Sequence, residues 1–414
     1  MSLYIKNINE LIQVEERPVL YRAGKDMSIL HTIKDAWLQI QGDKIADFGT
    51  MDNFSPQSQD TVIDAEGGMV FPSFCDSHTH LVYQGSREIE YIDKIKGLSY
   101  EEIAKRGGGI LNTAKRIHES SEEKLFDESW QRLEEIKSYG TGAVEIKSGY
   151  GLHLKDELKM LRVIKSLKEK SELTIKTTFL CAHAVPLEYR GRQNEYVDMI
   201  INEMIPTVGE EHLAEYIDVF CDKGFFTVEE TDRMLIAGEK YGLIPKIHAN
   251  ELDYSGGIQI GVKHNALSVD HLEYTGENEI NVLLNSSTMP TLLPCAAFFL
   301  GMVYAPARKM INAGLPIAMA SDFNPGSSPS GNMQLVLSMG CIKYKMLVEE
   351  AINAVTINSA YAMGCSKSHG SIAKNKKANV FITKPIPTYE FMPYSFGSNK
   401  VKTVILNGKV DLRI

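Results

Sequence analysis

The sequence predicts an α/β protein: a (β/α)8 TIM-like barrel with a small β-sandwich-like domain formed by both chain termini. Three observations predict it. Short apolar runs alternate with long amphipathic segments from about residue 70 to 365. The two ends share a strand-and-turn character that the middle lacks. Histidines gather just after the apolar runs, where barrels of this kind carry their chemistry. The expected division is 1–68 with 366–414 for the composite β-domain and 69–365 for the barrel.

Near the start, Trp37-Leu-Gln-Ile40, the turn Gly42-Asp43 and Lys44-Ile-Ala-Asp-Phe48 read as strand, tight turn, strand. Near the end, Ala378-Asn-Val-Phe-Ile382 and Val401-Lys-Thr-Val-Ile-Leu406 are short β-type runs, the second stopping at Asn407-Gly408. Neither end has enough strands to bury a core alone, so the two are expected to share one sheet. Eight candidate barrel strands lie between them. They are Met69–Phe74, Gly142–Ile146, Leu173–Leu180, Ile217–Phe220, Leu243–His248, Ala266–Asp270, Met289–Leu293 and Leu315–Ala320. Helical spacing separates most of them, as in Leu154, Leu158, Leu161, Ile164 and Leu167. A doubly wound open sheet would need a glycine-rich phosphate loop after its first strand, and none follows. Gly107-Gly108-Gly109 has no strand before it and no GKS/T after it, so it reads as a flexible loop on the substrate side.

Composition excludes several functions. A net charge of -9 with dispersed charges offers no basic footprint for nucleic acid. The opening MSLYIKNINELIQVEERP lacks the basic and apolar regions of a secretory signal. The most apolar long stretch, Met289 to Ala307, is broken by Pro290, Pro294 and Pro306, and reads as buried strand and loop rather than a membrane span. The six cysteines form no CxxC pair. A reduced, cytoplasmic protein with mostly buried thiols is expected.

The chemistry falls at strand ends. The first strand leads into Asp76-Ser-His78-Thr-His80, where i and i+2 side chains share one face of a strand and both imidazoles can reach one ion. His183 follows the third strand, His248 ends the fifth, His271 the sixth, and Asp322 follows the eighth. A single strand-end histidine is usually a hydrogen-bonded structural residue. His31, His118, His153, His212, His264 and His369, outside the pattern, are read that way. The combined set of HxH, two further histidines and an aspartate is a much more specific signal. Nitrogen and carboxylate ligands without thiolate suit Zn or Fe(II), with one position left open for water.

At these residues a resemblance enters. Phe71-Pro-Ser-Phe-Cys-Asp-Ser-His-Thr-His80 resembles the opening signature of the amidohydrolase superfamily, whose habit is also a β-domain built from both termini. Within it the chain resembles the imidazolonepropionase family over nearly its whole length. The matching segments are HTHLVYQGSRE (78–88), GGGI (107–110), KSGYGL (147–152), AHAVP (182–186), IHANELD (247–253), DHLEYT (270–275) and SDFNPGSSP (321–329). HxH alone is moderately specific, and its combination with KSGYG and DFNPGSSP is highly so. Three positions depart from the pattern. Ser73 stands where Gly is common, and Asn375 and Asn379 stand where Gly and Asp are usual.

The resemblance implies one Zn or Fe ion per chain, held by His78, His80, His248 and Asp322. Binuclear relatives use a bridging carbamylated lysine, and Lys223 is the only lysine expected in a comparable place. The implied reaction is hydrolysis of 4-imidazolone-5-propanoate to N-formimidoyl-L-glutamate by metal-activated water, in histidine degradation. Glu251, His271 and Asp322 are the candidate acid, base and oxyanion groups. The propionate calls for a cationic fork, and Arg87, seven residues past His80, is the candidate; otherwise it reads as a helix-end surface arginine. Tyr150 and His183 are expected to line the pocket, and Asn324, Gly326 and Ser327 to contact ring or carboxylate. Without the resemblance, Tyr150 reads equally well as a core aromatic and Asn324–Ser327 as a tight loop. A homodimer is expected, with no membrane partner. The rival readings are an aminopyrimidine or aminopurine deaminase, for which Arg87 has no purpose, and a metal-free scaffold, which would lack the ligands.

Overall fold

The computed structural model describes residues 2–98 and 108–414. Two sheets organise it. The first contains β1 (Leu3–Ile12), β2 (Thr32–Gln41), β3 (Lys44–Thr50), β4 (Thr61–Asp64) and β5 (Val70–Pro72) from one end of the chain. From the other end come β14 (Val380–Thr383), β15 (Val401–Leu406) and β16 (Lys409–Arg413). Its order is β16-β15-β14-β5-β1-β2-β3, with β4 pairing β1. Alternating Ile5, Leu38, Ile40, Val380 and Ile405 make its core, separate from that of the barrel.

The second sheet runs in sequence order through eight strands, with parallel pairing throughout. They are β6 (Phe74–Thr79), β7 (Thr141–Lys147), β8 (Thr174–Ala182), β9 (Tyr216–Cys221), β10 (Ile244–Ala249), β11 (Ser268–His271), β12 (Met289–Leu292) and β13 (Ala318–Met319). Helices such as Leu154–Lys170 and Val228–Glu239 connect them, the second begun by a Thr227/Glu230 capping box. This is the expected (β/α)8 barrel.

The barrel closes through the segments that carry chemistry. Thr79 bridges Phe323 in parallel register. His80 N–H donates to Phe323 O at 2.9 Å and Asp322 N–H to His78 O at 3.0 Å. The seam between the first and eighth strands therefore fixes His78, His80 and Asp322 relative to one another.

Several elements differ from expectation. The run Met69–Phe74 is not one barrel strand: Val70–Pro72 belongs to the terminal sheet, pairing with β1 and β14, and the barrel strand begins at Phe74. The two are joined by Ser73 alone, so continuous apolar character conceals a change of sheet. The eighth strand shrinks to Ala318–Met319. The strand β1, for which the sequence reading named no strand, does not keep a strict register: Asn7, at φ 54°, shifts its pairing with β2 between Ile5 and Ile8. Met289–Ala307 holds β12 and then the short helix Pro294–Leu300. Among the described residues no helix is long and apolar enough to cross a membrane. Gly107 lies outside the described residues; Gly109, at φ 84°, precedes the helix Ile110–Glu119.

The three departures noted in the sequence have local explanations. Asn375 adopts φ 70°, the left-handed conformation that glycine would otherwise supply and asparagine tolerates. Asn379 accepts a hydrogen bond from Asn407 N–H at 2.8 Å, securing the β15–β16 turn. Ser73 is matched by Gly142: a Cβ at 142 would lie 2.1 Å from the Ser73 hydroxyl oxygen.

Candidate active site

A cavity of about 810 Å³ opens at the C-terminal ends of the barrel strands. On its floor, His78 Nε2 and His80 Nε2 each lie 3.6 Å from Asp322 Oδ1, and His80 Nε2 lies 3.4 Å from His248 Nε2. Ligands about 2.0–2.1 Å from a tetrahedral ion are separated by about 3.3–3.4 Å. These separations are of the size expected between ligands of a common ion. Potential ligand atoms of His78, His80 and Asp322 fall within 4.8 Å of one another, as do those of His78, His248 and His271. The donor chemistry agrees. His78 Nε2 is buried and, among the described residues, lacks a hydrogen-bond partner, which a coordinated ion would supply. The site therefore fits a metal ion.

Backbone geometry supports the placement. Asp322 adopts φ 53° and His271 φ 84°, conformations costly for residues with a Cβ and often associated with functional sites. Ser327 Oγ donates to the Asp322 carboxylate at 3.2 Å, and Asn324 Nδ2 donates to the Asp322 carbonyl at 2.6 Å. Asn324 Oδ1 accepts from the Gly326 and Ser327 amides at 2.7 and 2.8 Å, so the Asn-Pro-Gly-Ser turn is tied to the aspartate it follows.

Burial sets the protonation preferences. It pushes the Asp322 carboxyl up to about 7, against the attraction of His248. It pushes Glu251 up to about 8, with Asp322 and Asp222 adding repulsion. His78, His80 and His271 are held well below the usual histidine range by burial and then by neighbouring cations and imidazoles. Burial and His248 bring His183 down to about 3. All four imidazoles thus favour the neutral form that offers a lone pair.

Every expected pocket residue lines the same cavity except His78, which lies beneath it. Glu251 is anchored through its N–H to Asp222 Oδ2 at 2.7 Å, and its carboxylate lies 3.7 Å from His271 Nδ1. His183 Nδ1 lies 3.1 Å from the Gly149 carbonyl. Its ring approaches those of Tyr150 and His80, with centroids 5.1 and 5.3 Å away. Arg87 does sit at a helix start, Glu88–Ile95, but its guanidinium turns into the cavity over Tyr150. Lys223 reaches away from the floor to an exposed ion pair with Asp253, 2.7 Å, and so is not placed to bridge two ions.

The sequence reading missed the groups beneath the floor. Asp270 Oδ2 stands 2.6 Å from His78 Nδ1, and Asp218 Oδ2 stands 3.0 Å from His248 Nδ1. The second contact is off the line of an ideal hydrogen bond. A carboxylate at Nδ1 favours the tautomer whose Nε2 lone pair faces an ion. Two fully buried lysines lie deeper: Lys147 against Glu145, Asp218 and Asp270, and Lys246 against Glu145. Glu273 was missed too. Both of its carboxylate oxygens are buried and, among the described residues, lack hydrogen-bond partners, and one lies 4.0 Å from His271 Nδ1. The available signal was a charged residue inside an apolar strand, as in Ile217-Asp-Val-Phe220. Such a residue must find a partner.

Comparison with known proteins places this geometry in context. Residues 226–410 match the model of the amidohydrolase family. The imidazolonepropionase of Christiangramia forsetii is 56% identical over 410 residues, covering 99% of this chain and all of that protein. That of Flavobacterium johnsoniae is 55% identical with the same coverage, and that of Alkaliphilus oremlandii 41% identical over 99% of this chain and 98% of its own. In fold, the chain is similar to E. coli guanine deaminase, with a TM-score of 0.76 at 14% identity, covering 100% and 99% of the two chains. It is also similar to 5-methylcytosine deaminase from Klebsiella pneumoniae, at 0.74 and 17%, over 99% and 98%.

Proposed function

This chain belongs to the imidazolonepropionase family of amidohydrolases, and from that membership we propose how its cavity hydrolyses 4-imidazolone-5-propanoate to N-formimidoyl-L-glutamate. The observation that carries the reading is the arrangement of one cavity, with a metal-suited cluster on its floor and the Arg87 guanidinium at its side. A cyclic amide with a carboxylate tail needs both. A neutral aminopyrimidine or aminopurine needs only the first, and the deaminases above share the fold at 14–17% identity.

His78, His80, His248 and Asp322 would hold the ion, a single Zn or Fe. When bound, the ion polarises water and lowers its pKa toward neutrality. Arg87 pairs with the propionate through parallel N–H···O bonds and so orients the ring over the floor. Tyr150 and His183 form the wall against which the ring packs. Asn324, Gly326 and Ser327 shape the turn beside it. His271 donates to the carbonyl oxygen as negative charge develops there. Glu251 takes the proton of the attacking water and returns it to the ring nitrogen as the C–N bond breaks, and Asp322 assists that transfer. A homodimer in the cytoplasm completes the reading; the compartment rests on the six scattered cysteines without a CxxC pair. The deciding experiment follows loss of imidazolone absorbance and identifies the product by mass. Formimidoylglutamate establishes the reaction; ammonia release from an aminopyrimidine or aminopurine without imidazolone turnover overturns it.

A further inference from the structure

Lys147 opens the KSGYGL segment, yet none of the roles above uses it. Its ammonium is fully buried at the C-terminal end of β7. There it stands 2.8 Å from Asp218 Oδ2, 2.7 Å from Glu145 Oε1 and 3.8 Å from Asp270 Oδ2. Asp218 lies on β9 and Asp270 on β11, so three alternate strands meet at this one nitrogen inside the closed barrel. The same Asp218 oxygen faces His248 Nδ1, and the same Asp270 oxygen faces His78 Nδ1.

We propose that Lys147 is a positioning residue for the metal centre: it fastens Asp218 and Asp270 in the places where they orient His248 and His78 as one unit. Two carboxylates buried together repel each other, and each would gain by turning away or taking a proton. An ammonium between them removes that incentive and fixes both rotamers. Burial alone would lower the Lys147 pKa, but Asp218, Glu145 and Asp270 together hold it above the ordinary lysine value. Lys246 serves as the internal comparison. It is equally buried and ion-paired with Glu145, and its charge also acts on Asp270, but it bonds neither aspartate: its other bonds go to the carbonyls of Ser77 and Ala362. The sequence shows what the two strands share: Lys147 and Glu145 are i and i+2 on β7, as Lys246 and His248 are on β10, so both turn a polar pair toward the interior.

The inference rests on the reading of His78 and His248 as metal ligands, and its test separates the two. Full-length wild type, Lys147→Met and Lys246→Met are freed of metal, checked for folding by circular dichroism, and titrated with Zn2+ against a chromogenic chelator. Loss of an outer partner typically weakens metal binding by about 10- to 100-fold. Lys147→Met is expected to show that loss, with Lys246→Met within about three-fold of wild type. In 15N-histidine spectra of the metal-free chain, Lys147→Met should also disturb the His78 and His248 tautomers together. Equal Zn2+ affinity in wild type and Lys147→Met overturns the inference and leaves the metal centre standing, as does equal weakening by both lysine variants. Failure of wild type to bind either Zn2+ or Fe2+ overturns both. If Lys147→Met does not fold, Lys147→Gln carries the same test, because its amide keeps hydrogen-bond donors near the site while losing the charge.

Discussion

Arg87 donates two hydrogen bonds to the single hydroxyl oxygen of Thr113, from Nε at 2.9 Å and from Nη2 at 2.7 Å. Thr113 lies on the helix Ile110–Glu119, so the guanidinium is braced from a second element while its carbon lies 5.7 Å from the Tyr150 ring centroid. A cation held in this way is ready to receive a carboxylate without first losing rotamer entropy.

Truncating Arg87 to Ala should therefore cost about 2–5 kcal/mol in kcat/KM, or roughly 30-fold to several-thousand-fold. The loss should appear mainly in KM, with metal content unchanged. Arg87→Lys should recover only part, because an ammonium cannot make two parallel bonds. Thr113→Val should raise KM by a smaller factor and leave kcat near wild type. An imidazolone lacking the propionate should be a poor substrate for wild type and indifferent to Arg87→Ala. Equal sensitivity of both substrates would show that Arg87 supports the fold.

Elemental analysis should find about one Zn or Fe per chain, since the two candidate triads share His78 and Lys223 is committed to Asp253. Asp322→Ala should abolish turnover, and chelation should do so reversibly. Two ions per chain, with activity tracking the second, would contradict the single-ion centre.

Glu251→Gln should lower turnover by at least about 100-fold while metal is retained. Activity close to wild type would move the proton transfer to His271 or Asp322.

The same substitution has a signature in the metal-free chain. The Glu251 carboxyl is pushed up to about 8 in the folded protein, against about 4.3 in an unfolded chain. Below the unfolded value both states are protonated and folding pays no penalty. Above it the unfolded chain releases a proton that the folded chain keeps, so stability falls as pH rises, by at most about 1.4 kcal/mol per pH unit, until the folded group ionises near pH 8. Glu251→Gln removes that slope. Chemical unfolding at pH 5, 6.5 and 8 should show the variant gaining progressively over wild type, and a constant difference would refute the shift.

Gly142→Ala should be severely destabilising, because its Cβ would fall 2.1 Å from the oxygen and 2.5 Å from the Cβ of Ser73. Pairing it with Ser73→Gly should restore most of the lost thermal stability. Simple additivity of the two changes would show that the clash is relieved elsewhere.

Much of the site was legible because its residues sit at strand ends, where apolar runs stop and a histidine or aspartate stands out. HxH, His248, His271 and Asp322 all have that property. Arg87 was legible only through resemblance, since a helix-start arginine looks like a surface residue until the chain is folded. Asp218, Asp270 and Lys147 were hidden for a different reason. Their partners come from other strands, 30 to 192 residues distant, and only closure of the barrel brings them together. The fold shows the same division. Local periodicity located the strands well, but it could not tell that Pro72 and Phe74 belong to different sheets, because both are buried and only pairing separates them.

That change of sheet at Ser73 also sets a timetable. On one side β5 is paired with β1, which is already made when it emerges; on the other it needs β14, synthesised about 300 residues later. The strand bearing His78 starts directly after β5, and its other neighbour at the seam, Phe323, is also distant. A growing chain consequently carries its histidines long before it can build a place for an ion. Contacts of such long range make folding slow and leave incomplete strands exposed meanwhile. Fragments released from the ribosome before β14 should be clients for chaperones and proteases rather than competitors for cellular zinc or iron.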